Sequence, residues 1–321
     1  MSLSHRFVDA NGIRMHLAEQ GEGPLVVLCH GFPESWYSWR HQLRALADAG
    51  YHAVAPDMRG YGRTSAPEAI ADYTLLHLVG DIVGLVQALG AQRAVVVGHD
   101  WGAPVAWHCA LLRPDLFAGV TALSVPFRGR GPVQPTTAMP RTDDSEFYQL
   151  YFQQPGAAEQ ELSRDVRHTI PALLYGASGD ASAAQQLMMV PRGGGFVASR
   201  IVPAVLPAWL RDEDVEFYVA EFERTGFRGG LNWYRNIDRN WELLAPYIGA
   251  KVTVPALFIA GDRDPVIMSP AAQKAIAAMP AAVPQLQRTL LLPGCGHWTQ
   301  QERPQPVNEA LLQFLRAVGH T

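Results

Sequence analysis

No run of lysines and arginines occurs in the 321 residues, and the chain carries a net charge of −4 with an isoelectric point near 6.3. Without such a run there is no electrostatic footprint for a phosphate backbone, so nucleic acid is not an expected partner. No stretch is apolar over the roughly 18 residues that a membrane span requires, and the start, "MSLSHRFVDANG", lacks the apolar core of a signal peptide. A cytoplasmic protein without a membrane span is therefore expected. Cysteine is scarce: there are three, none in C-x-x-C spacing. Cys29 and Cys109 lie in apolar runs where thiols behave as small buried hydrophobes, and an odd count fits a reducing compartment. Among eleven histidines there is no H-E-x-x-H pattern, and no G-x-x-x-x-G-K-[ST] loop occurs. The "GRG" at 129–131 is too short for a dinucleotide fingerprint, so no metal and no cofactor is expected. Repeats and low-complexity tracts are missing too.

What the chain does have is a composition of 48% apolar and 17% charged residues, enough for a large globular core. Short apolar runs recur: "PLVVLC", "HAVAP", "AVVVG", "VTALSV", "VPALFIAG" and "RTLLLPG". Runs of this length, rich in Val, Ile and Leu and closed by Gly or Pro, suit strands buried on both faces of a parallel sheet. Amphipathic segments lie between them. Over residues 74–90, Leu75, Leu78, Val79, Ile82, Val86 and Leu89 recur at helical spacing, with Thr74 placed to cap the start and Gly90 the end. Alternating strands and helices imply an α/β sheet with right-handed crossovers. The alternation stops near Pro126 and resumes near Val252. Between them lie helical patterns such as "DEDVEFYVAEFERTG", which predict a mostly helical cap over 127–245, inserted into a core of 1–126 and 246–321.

Four polar clusters end the predicted strands: "HGFPE" (30–34), "GHDWG" (98–102), "GDRD" (261–264) and "GCGHW" (294–298). Ligands of open parallel sheets bind beyond the carboxyl ends of the strands, so the four are expected to converge on one edge. "VVVGHDWGAPVAW" has the form of a nucleophile elbow, a tight strand-to-helix turn between small residues, with Asp100 where a serine is usual. Asp100, Asp264 and His297 follow the chain order nucleophile, acid, histidine of α/β-hydrolase triads. Asp262, two residues from Asp264, is the alternative acid. Cys295 sits beside the histidine rather than on an elbow and reads as a small loop residue.

A carboxylate at the elbow selects a chemistry. Serine attacking saturated carbon would leave an ether that water cannot readily cleave, whereas a carboxylate leaves an ester. That ester can be hydrolysed at its carbonyl by water activated at His297, restoring Asp100. The second step needs donors facing the ester oxygen, and the backbone N–H groups of Phe32 and Trp101 are the candidates. Aspartate nucleophiles on this scaffold serve two main reactions. A halide leaves as an anion, for which the Trp101 indole N–H is a candidate donor, whereas an epoxide oxygen leaves as an alkoxide and needs a proton. Tyrosine is a suitable acid for an alkoxide, and the inserted segment carries "EFYQLYFQQPG" (146–156) and "LNWYRN" (231–236).

The chain resembles the soluble epoxide hydrolases of the α/β-hydrolase superfamily from about His5 to the C-terminus. The segments that carry the resemblance are "HGFPESWYSWR", "DMRGYGRTSAP", "GHDWGAPVAW", "FYQLYFQQPGAAE", "GFRGGLNWYRNIDRNWE" and "CGHWTQQE". The elbow and loop motifs specify the superfamily, since dehalogenases share them, and the tyrosine segments specify epoxide hydrolases. The chain departs from the pattern at Ala103, where many relatives have a second glycine. The resemblance implies Asp100 as nucleophile, His297 as the water-activating base, Asp264 as its orienting acid, and Tyr148 and Tyr234 as donors to the epoxide oxygen. Tyr151, three residues from Tyr148, competes for that role. It further implies a small apolar epoxide and water as partners, no cofactor, no extra N-terminal domain, and a monomer or homodimer. Phe32, Pro33, Trp101, Tyr151 and Trp233 are the expected pocket residues. A haloalkane dehalogenase with the same triad is the main alternative, and a non-catalytic small-molecule receptor the second.

Overall fold

The computed structural model describes residues 2–182, 185–186, 188–198 and 200–320. Its centre is an eight-stranded sheet. In spatial order the strands are β1 (Ser4–Ala10), β2 (Ile13–Gln20), β4 (His52–Pro56), β3 (Leu25–Cys29), β5 (Ala94–His99), β6 (Phe117–Leu123), β9 (Ala256–Gly261) and β10 (Leu286–Leu292). From β4 onward neighbours run parallel, while β1 and β2 form an antiparallel extension. The six apolar runs supply the parallel part. β6 ends at Leu123 rather than at Val125 because Ser124 turns to φ 72 and leaves extended geometry.

Alternation along each strand divides the core between the two faces. Val96 joins Val27, Ile82 and Trp107 on one side, while Val95 and Val97 join Leu28, Trp39 and Leu43 on the other. Each such side chain, fully withdrawn from water, contributes about 1.5–3 kcal/mol. The helix Leu75–Ala88 starts where expected, its His77 N–H donating to Thr74 Oγ1 at 3.4 Å, and Gly90 beyond its end takes φ 71. Arg59 and Asp81 form a buried pair at 2.6 Å that ties this helix to the loop after β4.

Between β6 and β9 the chain runs through the helices Ala157–Leu162, Val166–Gly176, Asp212–Thr225, Arg228–Arg235 and Ile237–Leu243. It also forms a short antiparallel ribbon of β7 (Ser145–Phe147) and β8 (Met189–Pro191). The acidic first turn of Asp212–Thr225 and Gly226 at φ 64 mark that helix's two ends. Specific bonds fasten these helices to the rest: Trp233 Nε1 donates to the Arg59 carbonyl at 3.1 Å, and Leu75 N donates to Asn240 Oδ1 at 2.7 Å. Chain order leaves β3 toward β4 on one side and returns with β5 on the other. That reversal opens a crevice beyond the strand ends, where open sheets bind ligands.

Candidate active site

Asp100 follows the last residue of β5 at φ 51, a left-handed conformation that costs a non-glycine residue energy and that surrounding packing must enforce. The enforcement is visible. A Cβ on Gly98 would strike the Gly102 carbonyl, and one on Gly102 would strike the Cys29 carbonyl, so two bare glycines let the turn close against β3. Trp101 precedes the helix Gly102–Leu112, placing the carboxylate at a helix N-terminus whose positive end favours the anion.

Three of the strand-end clusters meet around this carboxylate. Phe32 N donates to Asp100 Oδ1 at 2.8 Å, and His297 Nε2 lies 3.5 Å from Oδ2. On the other side of the imidazole, Nδ1 lies 3.1 Å from Asp264 Oδ1, an oxygen that also accepts Val266 N at 2.9 Å. Asp264 is fully buried beside the imidazole, whereas Asp262 is exposed and accepts Gly294 N. The Cys295 thiol is buried, burial pushes its pKa up, and its sulfur reaches only the Gly296 carbonyl at 3.6 Å. The Phe32–Pro33 peptide is cis.

The charges follow from these contacts. Burial alone would raise the Asp100 carboxyl, but His297 outweighs it and holds the group below the usual carboxylate range. Burial alone would lower His297, but Asp264 and then Asp100 raise it well above 6.5. Asp100 and His297 therefore rest as an ion pair, with Asp264 holding the far side of the ring.

Three residues around this trio carried no separate weight in the sequence. Ser124, buried at the end of β6, places Oγ 2.8 Å from His297 Nδ1 and donates to Asp264 Oδ2. Glu34, at the close of "HGFPE", accepts Gly31 N at 3.1 Å and sits 2.8 Å from His99 Nδ1, while His99 Nε2 meets the His297 carbonyl at 2.8 Å. Both are fully buried, and His99 pulls the Glu34 carboxyl down against the effect of burial. This network links the 30–34 loop, the elbow and the histidine loop. Ser124 had no local signal. Glu34 and His99 stand inside motifs whose neighbours drew the attention.

Above the trio is a cavity enclosing about 510 Å³ of empty space, its mouth included, within the range of small-molecule sites. Asp100, His297, Phe32, Pro33, Tyr148 and Tyr234 line it. The two phenols come from different elements, Tyr148 from the turn Tyr148–Tyr151 after β7 and Tyr234 from the helix Arg228–Arg235, and their rings meet edge-on, centroids 5.9 Å apart. Burial raises both and Asp100 raises both further, while Gln149 Nε2 donating to the Tyr148 hydroxyl at 3.0 Å offsets part of the rise there. Both are thus neutral O–H groups at neutral pH, able to donate.

Three expected pocket residues fall outside the lining. Tyr151 turns away and donates to Glu161 Oε2 at 2.9 Å, because one turn of helix sends its ring to a different neighbour from that of Tyr148. Trp233 is fully buried as a strut on the Arg59 carbonyl. Trp101 packs edge-on against Tyr234, ring centroids 5.2 Å apart. In their places Phe152, Leu173, Met188, Phe196 and Trp298 wall the cavity, and Arg200 adds a cation.

Comparison with known proteins agrees with this architecture. A family described as having the alpha/beta hydrolase fold matches residues 24–304. Epoxide hydrolase A of Mycobacterium tuberculosis is 50% identical over 317 residues, covering 97% of each chain. A solved structure of an epoxide hydrolase from an endophytic Streptomyces superposes with a TM-score of 0.95 at 49% identity, covering 99% of this chain and 97% of the other. The bifunctional epoxide hydrolase 2 of Sus scrofa is 39% identical, and there the match covers 98% of this chain but 55% of the relative. The chain belongs to the epoxide hydrolase family of the α/β-hydrolase fold. Among the described residues, no helix is long and apolar enough to cross a membrane.

Proposed function

We propose that this protein adds water to epoxides to give vicinal diols, by way of an ester between substrate and Asp100. Residues 127–245 act as the cap that closes the cavity over a core of 1–126 and 246–321. Phe32 N on Oδ1 marks that oxygen as the ester carbonyl, leaving Oδ2 for attack. Oδ2 bonds to an epoxide carbon as the ring C–O bond breaks, and the electron pair moves to the ring oxygen, which takes a proton from Tyr148 or Tyr234. The phenolate left behind regains its proton from His297, which gives it up once Asp100 has lost its charge to the ester, and the now neutral His297 Nε2 removes a proton from water, whose oxygen adds to the ester carbonyl carbon. The N–H groups of Phe32 and Trp101 face the negative charge that forms there. Collapse breaks the bond to the alkyl oxygen, which leaves as the second hydroxyl with the proton from His297, and the Asp100 carboxyl passes the remaining proton of that water to His297, restoring the ion pair.

The observation that carries this reading is a pair of phenols lining the same cavity as a carboxylate already paired with a histidine. A halide would need N–H donors instead, and the Trp101 ring lies outside the cavity lining, edge-on against Tyr234. The test is His297→Gln exposed to a neutral aryl epoxide, followed by intact-mass and peptide analysis. A substrate-sized adduct should accumulate on Asp100. A folded variant that hydrolyses the epoxide at the wild-type rate, or that forms no adduct, would refute the two-step scheme.

A further inference from the structure

The loop that carries His297 rests on a carboxylate that the ester chemistry does not use. Glu302 ends the short helix Thr299–Glu302, is 5% exposed and stands outside the cavity lining. Its Oε2 accepts Gly296 N at 2.8 Å and its Oε1 accepts Trp298 N at 3.0 Å, so the peptides on either side of His297 hang from one side chain. The histidine's own backbone is fixed as well. Its N–H donates to the Ala177 carbonyl at 2.9 Å, and its carbonyl lies 2.8 Å from His99 Nε2.

The same carboxylate reaches into the inserted segment. Oε2 also accepts Gly179 N at 2.9 Å. There the two stretches meet backbone to backbone, because a Cβ on Gly296 would strike Gly179 N and one on Gly179 would strike the Gly294 carbonyl. Trp298 Nε1 donates to the Leu174 carbonyl at 2.6 Å, so the end of the helix Val166–Gly176 finds a partner for one of its last carbonyls in the histidine loop. Three donors shared over two oxygens call for a carboxylate. A side-chain amide offers one acceptor oxygen and would turn its NH2 group toward one of these N–H groups. Burial raises the Glu302 carboxyl, while the three N–H groups pull it back down. Arg303, next in sequence, directs its guanidinium to the Glu302 and Gly294 carbonyls at 3.0 and 2.9 Å.

We infer that Glu302 is a positioning residue for ester hydrolysis: it holds the backbone arch at 296–298, and through Gly179 the adjoining end of the cap, so that His297 Nε2 is aimed at the attacking water. This rests on the proposed two-step reaction and assigns the clamp to its second step. Alkylation relies on Asp100, which the elbow and Phe32 N set, whereas proton removal from water relies on a ring carried by the arch. Charge-assisted bonds from three N–H groups make that arch stiff. A reacting group misplaced by about 1 Å costs about 10²-fold, so slack in the arch falls on hydrolysis.

The test compares the wild type, Glu302→Gln and Glu302→Ala in single turnover with a neutral aryl epoxide. Rapid-quench mass spectrometry gives separate rate constants for adduct formation on Asp100 and for adduct loss, and thermal melting checks folding. Adduct loss should slow by roughly 10- to 100-fold in Glu302→Ala, and by less in Glu302→Gln, whose one acceptor oxygen keeps part of the clamp. Adduct formation should stay within about threefold of wild type in both. In steady state kcat and KM should then fall together, a signature that loss of folded enzyme cannot give, since that lowers kcat at constant KM. Adduct loss at the wild-type rate in a folded Glu302→Ala overturns the inference. So does equal slowing of the two steps, or a fall in kcat at constant KM. Where Glu302→Ala does not melt cooperatively, Glu302→Gln decides by the same criteria. If no adduct forms in any variant, His297→Gln included, the proposed function fails instead.

Discussion

Gly31→Ala is the sharpest probe of how closely the "HGFPE" loop must approach the carboxylate. A Cβ built on Gly31 lies 2.7 Å from Cγ of Asp100, 0.7 Å short of the 3.4 Å at which ordinary contact begins, and it lies nearer still to Oδ1. Something must move, and the loop is poorly placed to do so. Gly31 N is bound to Glu34 Oε2, the Gly31 carbonyl accepts Glu34 N at 3.1 Å, and the ring of the preceding His30 accepts Met58 N at 3.0 Å. The built Cβ meets Cβ of Asp100 as well as its carboxylate, so rotating that side chain does not relieve the clash and the elbow must shift, carrying the carboxylate away from Phe32 N and His297. That shift approaches ~1 Å, a misplacement that costs about 10²-fold in a reaction needing a near-attack geometry. Rapid-quench mass spectrometry of adduct formation on Asp100 reads this step directly, with thermal melting as a control for folding. Alkylation should slow by about 10²-fold in a protein that still melts cooperatively. A folded Gly31→Ala that alkylates at the wild-type rate would refute the claim that this contact fixes the carboxylate.

Replacing both Tyr148 and Tyr234 with Phe should lower diol formation from a neutral epoxide by about 10²- to 10⁴-fold, because both phenols of the cavity lining that could protonate the alkoxide are then gone. Turnover by the double variant near the wild-type rate would remove the phenols from the reaction. Asp81→Asn leaves the Arg59 charge buried without its partner and should cost about 3–5 kcal/mol in denaturant unfolding, and a loss below about 1 kcal/mol would contradict that pairing. His297 is raised above 6.5, so the stability gained from its ion pairs is full below that pH and lost as pH rises through its native value, which a melting series should follow. Esterification removes the Asp100 charge, one of the groups that raise His297. The acid limb of ester hydrolysis in single turnover should therefore lie at lower pH than the titration of His297 in the free enzyme, and coincidence of the two would contradict the coupling.

Much of the fold is legible in the chain because its signals are local. Six apolar runs closed by Gly or Pro become the parallel strands, and Thr74 and Gly90 flank a helix they can cap unaided. The antiparallel pair β1 and β2 has a local signal as well. Its turn is Asn11–Gly12, with φ 49 and 77, the dipeptide that favours a tight hairpin, set between alternating residues. A search for continuous apolar runs passes over it because β1 is mostly exposed. The strand-end clusters converge for a reason equally independent of detail, since parallel strands put all their carboxyl ends on one edge.

The inserted segment resists the same reading because its side chains are sorted by partners far away in sequence. Tyr148 and Tyr151 are separated by one helical turn, yet one lines the cavity and the other bonds Glu161, a residue ten positions on that also fixes the loop bearing Phe196. Trp233 and Tyr234 are neighbours, yet the first is tied to Arg59 in the core and the second faces Asp100. Periodicity tells which face of a helix is buried but not against what, and in a layer buried on two sides both faces read as apolar. Ser124 and Arg200 show the limit most clearly. Each lies outside any regular element, where no period applies, and each is fixed by long-range contacts: Ser124 by the loops that carry Asp264 and His297, Arg200 in part by the space that Gly176 leaves open. The residues that set how the carboxylate chemistry is aimed are therefore chosen by tertiary packing, while the residues that supply it are placed by secondary structure.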